Sequence, residues 1–223
     1  MHEALKDIPN RIVGVARGAL SQAVHHAVFL NPGLEYWDQI GVLNAAHAGE
    51  LFIKAVVARE HPLLIFRELL QVDDMSSTEL DIKRLIESGR TYEFKDLPRL
   101  LWITTGRRLP DLASFQRIMR TRNAIQHFCA PDDEDLSGTA LEFIFKNIDP
   151  LIQSAFNLFA IEHHEDDIGY DYVVSCLIQR ELEFSIPDDF EIGEVDLNAL
   201  LSEASPRYRK KFKQALRSKG ISM

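Results

Sequence analysis

The stretch "DLASFQRIMRTRNAIQH", residues 111–127, combines a clear helical pattern with the side chains that point most directly to chemistry. An apolar residue recurs every three or four positions, which predicts one buried helix face. The positions are Leu112, Phe115, Ile118 and Met119. Arg122 lies seven residues after Phe115 and so falls near this face. A charge there is costly unless it is paired or borders a polar cleft, so Arg122 requires an explanation.

The last two turns of this helix carry an arginine, an asparagine and a histidine. Asn123 and His127 are four residues apart and share a helix face, whereas Arg122 and His127 lie about 140° apart on an ideal helix. They converge only if the helix tightens at its end or if a second subunit lends its own pair. A histidine transfers protons near neutral pH, and an arginine binds phosphate, so the set suits metal-free cleavage of RNA. The alternative is a surface arginine and a histidine at a helix C-terminus.

Amphipathic patterns elsewhere in the chain also favour helices. The main predicted helices span residues 10–30, 38–60, 111–127 and 141–163, and Pro150 should kink the last one. No set of alternating strands competes with them. We therefore predict an all-α fold, an antiparallel four-helix-type bundle with additional short helices and a C-terminal extension.

Shorter elements complete this prediction. Short helices are expected at residues 62–72, 76–89 and 97–106, and the second of these has a capping box between Ser76 and Glu79. The segment 170–187 suits a helix or a strand equally well. We expect a helical bundle at residues 1–165 and a C-terminal extension at 166–223 that ends in a basic helix.

Charge is distributed unevenly. The net charge is −9, yet residues 207–219 carry seven cations and no acid, which leaves −16 for the remainder. Such a basic segment on an acidic chain suggests an interaction element, although it could equally dock on its own acidic surface. The candidate RNA-binding residues are Arg207, Arg209, Lys210, Lys211 and Lys213.

Other signals are few. Cys129 and Cys176 have no zinc or disulfide spacing, which is typical of a reducing cytosol, and no signal peptide or apolar run of about 18 residues is present. We expect a cytoplasmic protein without metal or cofactor. The segment "HHEDD", residues 163–167, reads as a solvated helix end, because adjacent helical residues diverge and cannot easily share one ion.

The hexapeptide "RNAIQH", residues 122–127, resembles the motif of the HEPN superfamily, an arginine and a histidine separated by four to six residues at the end of a long helix. The polar Asn123 after the arginine also matches. The resemblance covers roughly residues 10–163, where helix 38–60 is similar to an earlier family helix whose acidic residue approaches the motif. Glu50 is the corresponding residue here. His47, three residues earlier on nearly the same face, is either a supporting residue or a core histidine.

The resemblance implies a metal-independent endoribonuclease, usually a homodimer with both motifs in a shared cleft. Arg122, Asn123 and His127 would be its catalytic residues, and Glu50 and His47 would support them. Many members act in toxin–antitoxin or phage-defence systems, so an antitoxin or regulatory protein is a further expected partner. One departure is Cys129, which stands where members regulated by adenylylation carry a tyrosine.

Two other interpretations remain open. Some members have lost catalysis, so the chain could be a non-catalytic HEPN-like module that binds RNA, a nucleotide or a protein partner. The acidic net charge favours this alternative, because a groove for RNA should be basic. In the third interpretation, Arg122 has a purely structural role and fastens a dimer interface.

Overall fold

Helices make up most of the chain, and the all-α prediction is confirmed. The computed structural model describes residues 1–29, 31, 33–68, 83, 85, 89–130, 134–164 and 169–221. The α-helices are α1 (Ile8–Val28), α2 (Trp37–Glu60), α3 (Leu97–Thr105), α4 (Leu112–His127), α5 (Leu136–Phe143), α6 (Asp149–Phe156), α7 (Asp171–Gln179), α8 (Leu197–Glu203) and α9 (Pro206–Ser218). In these described ranges the only sheet is an antiparallel hairpin of β1 (Phe66–Glu68) and β2 (Arg90–Thr91).

The chain forms two compact units. The first comprises Met1–Ala16 and Gly49–Leu109, and the second comprises Arg17–Ala48 and Pro110–Met223. Helices α4 and α9 therefore belong to the same unit. The predicted boundary between residues 165 and 166 does not coincide with this division, because the second unit includes residues on both sides of it.

In the first unit, the second half of α2 is buried on almost every side. Phe52 and Ile53 are fully buried, and so are Ala55 and Ala58 on other faces of the helix. A single apolar face was predicted for α2, and that prediction was too narrow because the small alanines allow close packing all around. Lys54 is also buried, and its ammonium group donates to Glu50 Oε1 at 2.6 Å and to Thr91 Oγ1 at 2.9 Å.

In the second unit, α4 begins at an N-cap and packs against α5. The Asp111 carboxylate caps α4 by accepting from the backbone N–H groups of Ala113 and Ser114 at 2.9 and 3.1 Å. The rings of Phe115 on α4 and Phe143 on α5 lie 6.1 Å apart in the core. The N-cap and the buried aromatic pair fix the direction of α4, and its other end carries the motif.

The helix predicted for residues 141–163 is interrupted and shorter. A π-helical turn at Ile144–Ile148 follows α5, and α6 ends at Phe156 because Asn157 adopts a left-handed conformation with φ 54°. The disturbance attributed to Pro150 thus lies one turn before it. In a regular α-helix, the Pro150 ring would clash with the carbonyl of residue 146. The π turn includes residue 146 and is wider there, which relieves this clash.

The other elements agree in part with the predictions. The prediction of a helix at residues 62–72 is wrong, since Pro62–Ile65 forms a 3-10 helix and β1 begins at Phe66. The helix expected at 76–89, with its capping box at Ser76 and Glu79, lies almost wholly outside the described residues. The ambiguous segment 170–187 is helical in α7 and irregular after it, and the basic helix is present as α9.

Helix α2 is the candidate membrane span among the described residues. It is long and apolar enough to span a membrane, yet 67% of its apolar window is buried inside the protein. The core helix of a globular protein meets the same criterion of length and composition. This helix is therefore weak evidence for a membrane location.

Candidate functional site

The predicted catalytic residues lie at the C-terminal end of α4, where the helix reaches the surface. Asn123 and His127 are exposed, and Arg122 is half-buried. His127 is the last residue of α4, and the backbone N–H of Phe128 closes the helix by donating to the carbonyl of Ala124 at 2.8 Å. Asn123 and His127 therefore present an amide and an imidazole to solvent from the same helix face.

The apolar face of α4 does not include Arg122 in the way the spacing predicted. The buried residues of the helix are Ser114, Phe115, Ile118 and Thr121, while Leu112 is 52% exposed. Thr121 fills the position that continues the buried face, so Arg122 lies at its edge. The expectation of an arginine within the core-facing stripe is therefore wrong. An arginine at the edge of a buried face keeps its stem covered and its guanidinium group near solvent.

Phe128 and Cys129 follow the motif and are both exposed. Phe128 is 93% exposed, the largest value among the exposed large apolar side chains of the described residues. The sequence contains one indication of this exposure, because Phe128 comes directly after the predicted helix end and outside the apolar period. We did not predict its exposure, since the apolar pattern alone does not show where a chain leaves the core.

A groove of about 610 Å³ lies beside α4. Arg117 on α4 pairs with Glu142 on α5 at 2.5 Å, and Arg180 pairs with Asp135 at 2.6 Å. The Arg180 guanidinium beside Asp135 holds the pKa of that carboxyl below its usual range. Both arginines of the groove are thus neutralised by acids of the same chain.

Glu134 and Asp135, which precede α5, extend the acidic lining of this groove. Thr121, the neighbour of Arg122, donates from Oγ1 to Glu134 Oε2 at 3.4 Å, and Glu134 lines the groove. Asp135 caps α5 by accepting from the Gly138 N–H at 2.7 Å. A Cβ at position 138 would come within 2.3 Å of the Asp135 carboxylate, so a larger residue there would displace this side chain.

The two predicted supporting residues differ in their surroundings. Glu50 is half-buried and is the carboxylate partner of the buried Lys54, so removal of Glu50 would leave a buried ammonium group without its counter-ion. This is a structural role. His47 is exposed, which argues against the alternative of a core histidine.

The basic helix α9 divides its cations into two groups. Tyr208, Phe212 and Leu216 are buried along one face, and several cations beside this face are bound by the same chain. Lys211 pairs with Glu183, Lys219 with Asp188 at 2.7 Å, and Arg209 donates to the carbonyls of Ser202 and Ala204 at 3.0 Å. The expectation of a helix docked on its own acidic chain thus describes one group of these cations.

The other cations of α9 point away from the buried face. In the described part of the chain, they form no ion pair or hydrogen bond with another residue. They are the exposed Arg207, Lys210 and Arg217, and the half-buried Lys213. Their positions span about 15 Å along the helix at 1.5 Å per residue. This spacing suits successive phosphates of a nucleic-acid strand better than it suits a single small anion.

One polar cluster of the second unit was not predicted. Asn147 in the π-helical turn is fully buried and donates to the Asp111 carbonyl and to Ser114 Oγ at 2.9 and 2.7 Å. The Asp111 N–H donates back to Asn147 Oδ1 at 2.9 Å. Every polar atom of the Asn147 side chain is thus engaged, which identifies a structural cluster rather than a reactive one.

Metal-binding geometry is not found in the parts of the chain that the structure describes, where no three histidine, cysteine, aspartate or glutamate side chains form a suitable group. In the "HHEDD" segment, His163 is buried and His164 is half-buried, while residues 165–167 lie outside the described ranges. Burial lowers the pKa of His163 to about 4. This histidine is therefore a neutral core residue at physiological pH, which corrects the expectation of a wholly solvated helix end.

Comparison with known proteins gives no further guidance: no protein-family model, no curated protein and no solved structure matches this chain.

Proposed function

We propose that this protein is a HEPN-type, metal-independent endoribonuclease. The single observation that carries the proposal is the end of α4, where Asn123 and His127 share an exposed face and Arg122 lies at the edge of the buried one. These side chains match the Arg-x4-His motif residue by residue. The exposed cations of α9 give secondary support, because they offer contacts for an RNA backbone.

The proposed reaction uses the nucleophile that RNA itself carries. His127 takes the proton of a ribose 2′-hydroxyl, whose oxygen then bonds to the adjacent phosphorus. The bond from phosphorus to the 5′-oxygen breaks, and that oxygen receives a proton. The products are a 2′,3′-cyclic phosphate and a 5′-hydroxyl end. Arg122 binds the non-bridging oxygens as negative charge develops on them, and Asn123 orients the phosphate or the imidazole.

A second copy of the chain would complete this site. Arg122 and His127 are five residues apart, so one straight helix holds them about 140° from each other. Two helix ends that meet across a two-fold axis would supply both an arginine and a histidine to each phosphate. The second histidine would also donate the proton that the 5′-oxygen requires. The proposed form is therefore a cytoplasmic homodimer, in the setting of a toxin or a phage-defence component with an antitoxin or regulatory partner.

One observation favours the alternative function, a non-catalytic HEPN-like module. The groove beside α4 contains Glu134, Asp135 and Glu142, and its two arginines are already paired with acids. Such a groove repels a phosphate backbone. In this alternative, the helix end would bind RNA, a nucleotide or a protein partner without cleaving RNA.

The test is cleavage of a single-stranded RNA by the purified protein in EDTA. We expect products with 2′,3′-cyclic phosphate ends and a loss of roughly 10²–10⁴ in rate for His127→Ala. The matched control is Gln126→Ala, since Gln126 is the exposed neighbour of His127 on the same helix end. Arg122→Ala should remove cleavage, whereas Arg120→Ala, at an exposed arginine of the same helix, should retain it.

The outcomes separate the three interpretations. Absence of cleavage by the folded protein together with tight RNA binding would support the non-catalytic module. Cleavage that survives His127→Ala would contradict the mechanism. Dissociation of a dimer by Arg122→Ala, measured by sedimentation, would support the purely structural role of that arginine.

A further inference from the structure

Helix α3 of the first unit carries an unusual outer face. Leu97, Leu100 and Leu101 are buried on one side of the helix. Three and four residues apart on the opposite side lie Arg99, Trp102 and Ile103. Trp102 is 48% exposed and Ile103 is 62% exposed. Single exposed apolar residues are common on protein surfaces, but a tryptophan and an isoleucine side by side on the outer face of one short helix are less so.

One arginine lies over the Trp102 ring, and two more are close to it in sequence. The Arg108 guanidinium lies 4.8 Å from the centre of the Trp102 ring, and Arg99 and Arg107 are exposed nearby in sequence. Residues 97–110 contain these three arginines and no acid, in a chain whose net charge is −9. The segment is therefore a local basic and aromatic surface within an acidic protein.

The turn that carries two of these arginines is held in place by local hydrogen bonds. Gly106 ends α3 in the left-handed region at φ 72°, a conformation that favours glycine. Thr105 Oγ1 donates to the Leu101 carbonyl at 2.6 Å and accepts from the Arg107 N–H at 3.1 Å. These contacts fix the backbone at Arg107 and so position Arg108 beside the indole ring.

We infer that this surface, Arg99, Trp102, Arg107 and Arg108, binds single-stranded nucleic acid, with a base stacked on Trp102 and phosphates on the arginines. An exposed aromatic ring flanked by cations is the arrangement that non-sequence-specific single-strand binders use, because every base has a π-face. Arginine also stacks on planar rings, so Arg108 can extend the platform formed by the indole. The absence of acids in residues 97–110 favours a polyanion over a cationic or neutral ligand.

The inference goes beyond the proposed function and does not depend on it, since it requires neither cleavage nor any residue of α4. The probe is therefore an oligothymidylate of about twelve nucleotides, within the usual site size for single-strand binding. It lacks the 2′-hydroxyl that the proposed cleavage requires. Failure of cleavage and failure of binding are thus distinguishable.

The first measurement is tryptophan fluorescence during titration with the probe. The chain has two tryptophans, and Trp37 is half-buried and donates from its indole N–H to the Phe29 carbonyl at 2.7 Å. We expect quenching in the unmodified protein and none in Trp102→Phe, where only Trp37 remains. Quenching that persists in Trp102→Phe would overturn the inference. So would equal quenching by heparin, a polyanion without bases.

The second measurement is affinity for the labelled probe by fluorescence anisotropy. Trp102→Ala should weaken binding roughly tenfold or more, and Trp102→Phe should weaken it less. Ile103→Ala is the matched control, because it removes an exposed apolar side chain from the same face without removing a ring. An equal loss in Ile103→Ala would indicate an apolar protein interface and would contradict base stacking.

The third measurement separates these arginines from net charge. Replacement of Arg99 and Arg108 by glutamine should weaken binding and lower the slope of log affinity against log salt by about 1.4, the value for two phosphate contacts on a single strand. The control is the same change at Arg11 and Arg67, two exposed arginines of the first unit. Equal effects of the two double variants would overturn the assignment to this surface.

Discussion

The two ends of α4 contain similar polar side chains in opposite situations. At the N-terminal end, Asp111 and Ser114 form hydrogen bonds with the fully buried Asn147. At the C-terminal end, Asn123 and His127 are exposed and, among the described residues, have no hydrogen-bond partner. Polar groups that are buried and bonded stabilise the fold, whereas exposed ones are available to a ligand. The comparison therefore assigns a stabilising role to the polar groups at one end of the helix and leaves those at the other end available for the proposed site.

Among substitutions of polar residues, the largest effect on stability is expected from replacing the asparagine at the buried end. Asn147→Ala deletes three hydrogen bonds and leaves the Asp111 N–H without its partner. We expect the free energy of unfolding to fall by about 3 kcal/mol, because unsatisfied buried polar groups are costly. Urea denaturation measures the change. The matched control is Asn123→Ala, which should alter the free energy of unfolding by less than about 0.5 kcal/mol. Equal losses in the two variants would contradict the comparison.

The second prediction is that the buried carboxyl of Asp149 makes the free energy of unfolding depend on pH. This side chain is 1% exposed and accepts from the backbone N–H groups of Ala160 and Ser185 at 2.9 and 2.6 Å. Burial raises its pKa from 3.8 to about 6. The folded state therefore binds this proton more tightly than the unfolded state, so Asp149 makes the protein less stable as pH rises from about 4 to 6. The loss in the free energy of unfolding is at most about 3 kcal/mol, since one pKa unit corresponds to about 1.4 kcal/mol.

His163 acts in the opposite direction over nearly the same pH range. Burial lowers its pKa from 6.5 to about 4, so its neutral form stabilises the fold above pH 6.5 and that contribution is lost as pH falls towards 4. The two groups largely offset each other in the unmodified protein. In Asp149→Asn, we expect stability to increase steeply with pH between 4.5 and 6.5, and in His163→Gln to decrease. Urea denaturation at several pH values measures both slopes, and parallel slopes in the two variants would contradict these assignments.

Charge replacement on α9 is the third test, with a smaller effect on free energy. Lys210 and Arg217 lie on the outer face, whereas Lys211 and Lys219 pair with Glu183 and Asp188. Replacing the first pair by glutamine should weaken RNA binding roughly tenfold at low salt and lower the salt slope by about 1.4. Replacing Lys211 and Lys219 by glutamine changes the net charge by the same amount and should have little effect on RNA binding. Deleting the helix is a poorer test, because Tyr208, Phe212 and Leu216 are part of the core.

Local patterns predicted the helices that depend on neighbouring residues. The bounds of α1, α2, α4 and α9 follow from periodic apolar residues and from caps such as Asp111 and Ser205. What the pattern could not show depends on residues far apart in the chain. The strand at Phe66 forms only because it pairs with Thr91, and the π-helical turn preserves the apolar spacing while changing the hydrogen bonds.

The same distinction applies to the candidate site. The sequence could place Asn123 and His127 on one face, because a helix fixes that relation locally. It could not show that Thr121 rather than Arg122 continues the buried face, or that Glu50 is engaged by Lys54. The pairing of Lys211 and Lys219 also depends on distant acids. The sequence therefore predicted the relation between neighbouring residues of one helix better than it predicted pairs formed between distant parts of the chain.

The smallest effect on stability is expected at the phenylalanine that follows the motif. Phe128 is 93% exposed, so Phe128→Ala removes almost no buried area and should change the free energy of unfolding by less than about 0.5 kcal/mol. Phe115→Ala is the matched substitution at a buried position of α4 and should cost about 3–5 kcal/mol. Urea denaturation of both variants measures the difference. A loss above about 1 kcal/mol for Phe128→Ala would mean that the folded chain covers this residue. The end of α4 would then not be open to a ligand or a second subunit, and the proposed cleft would lose its entrance.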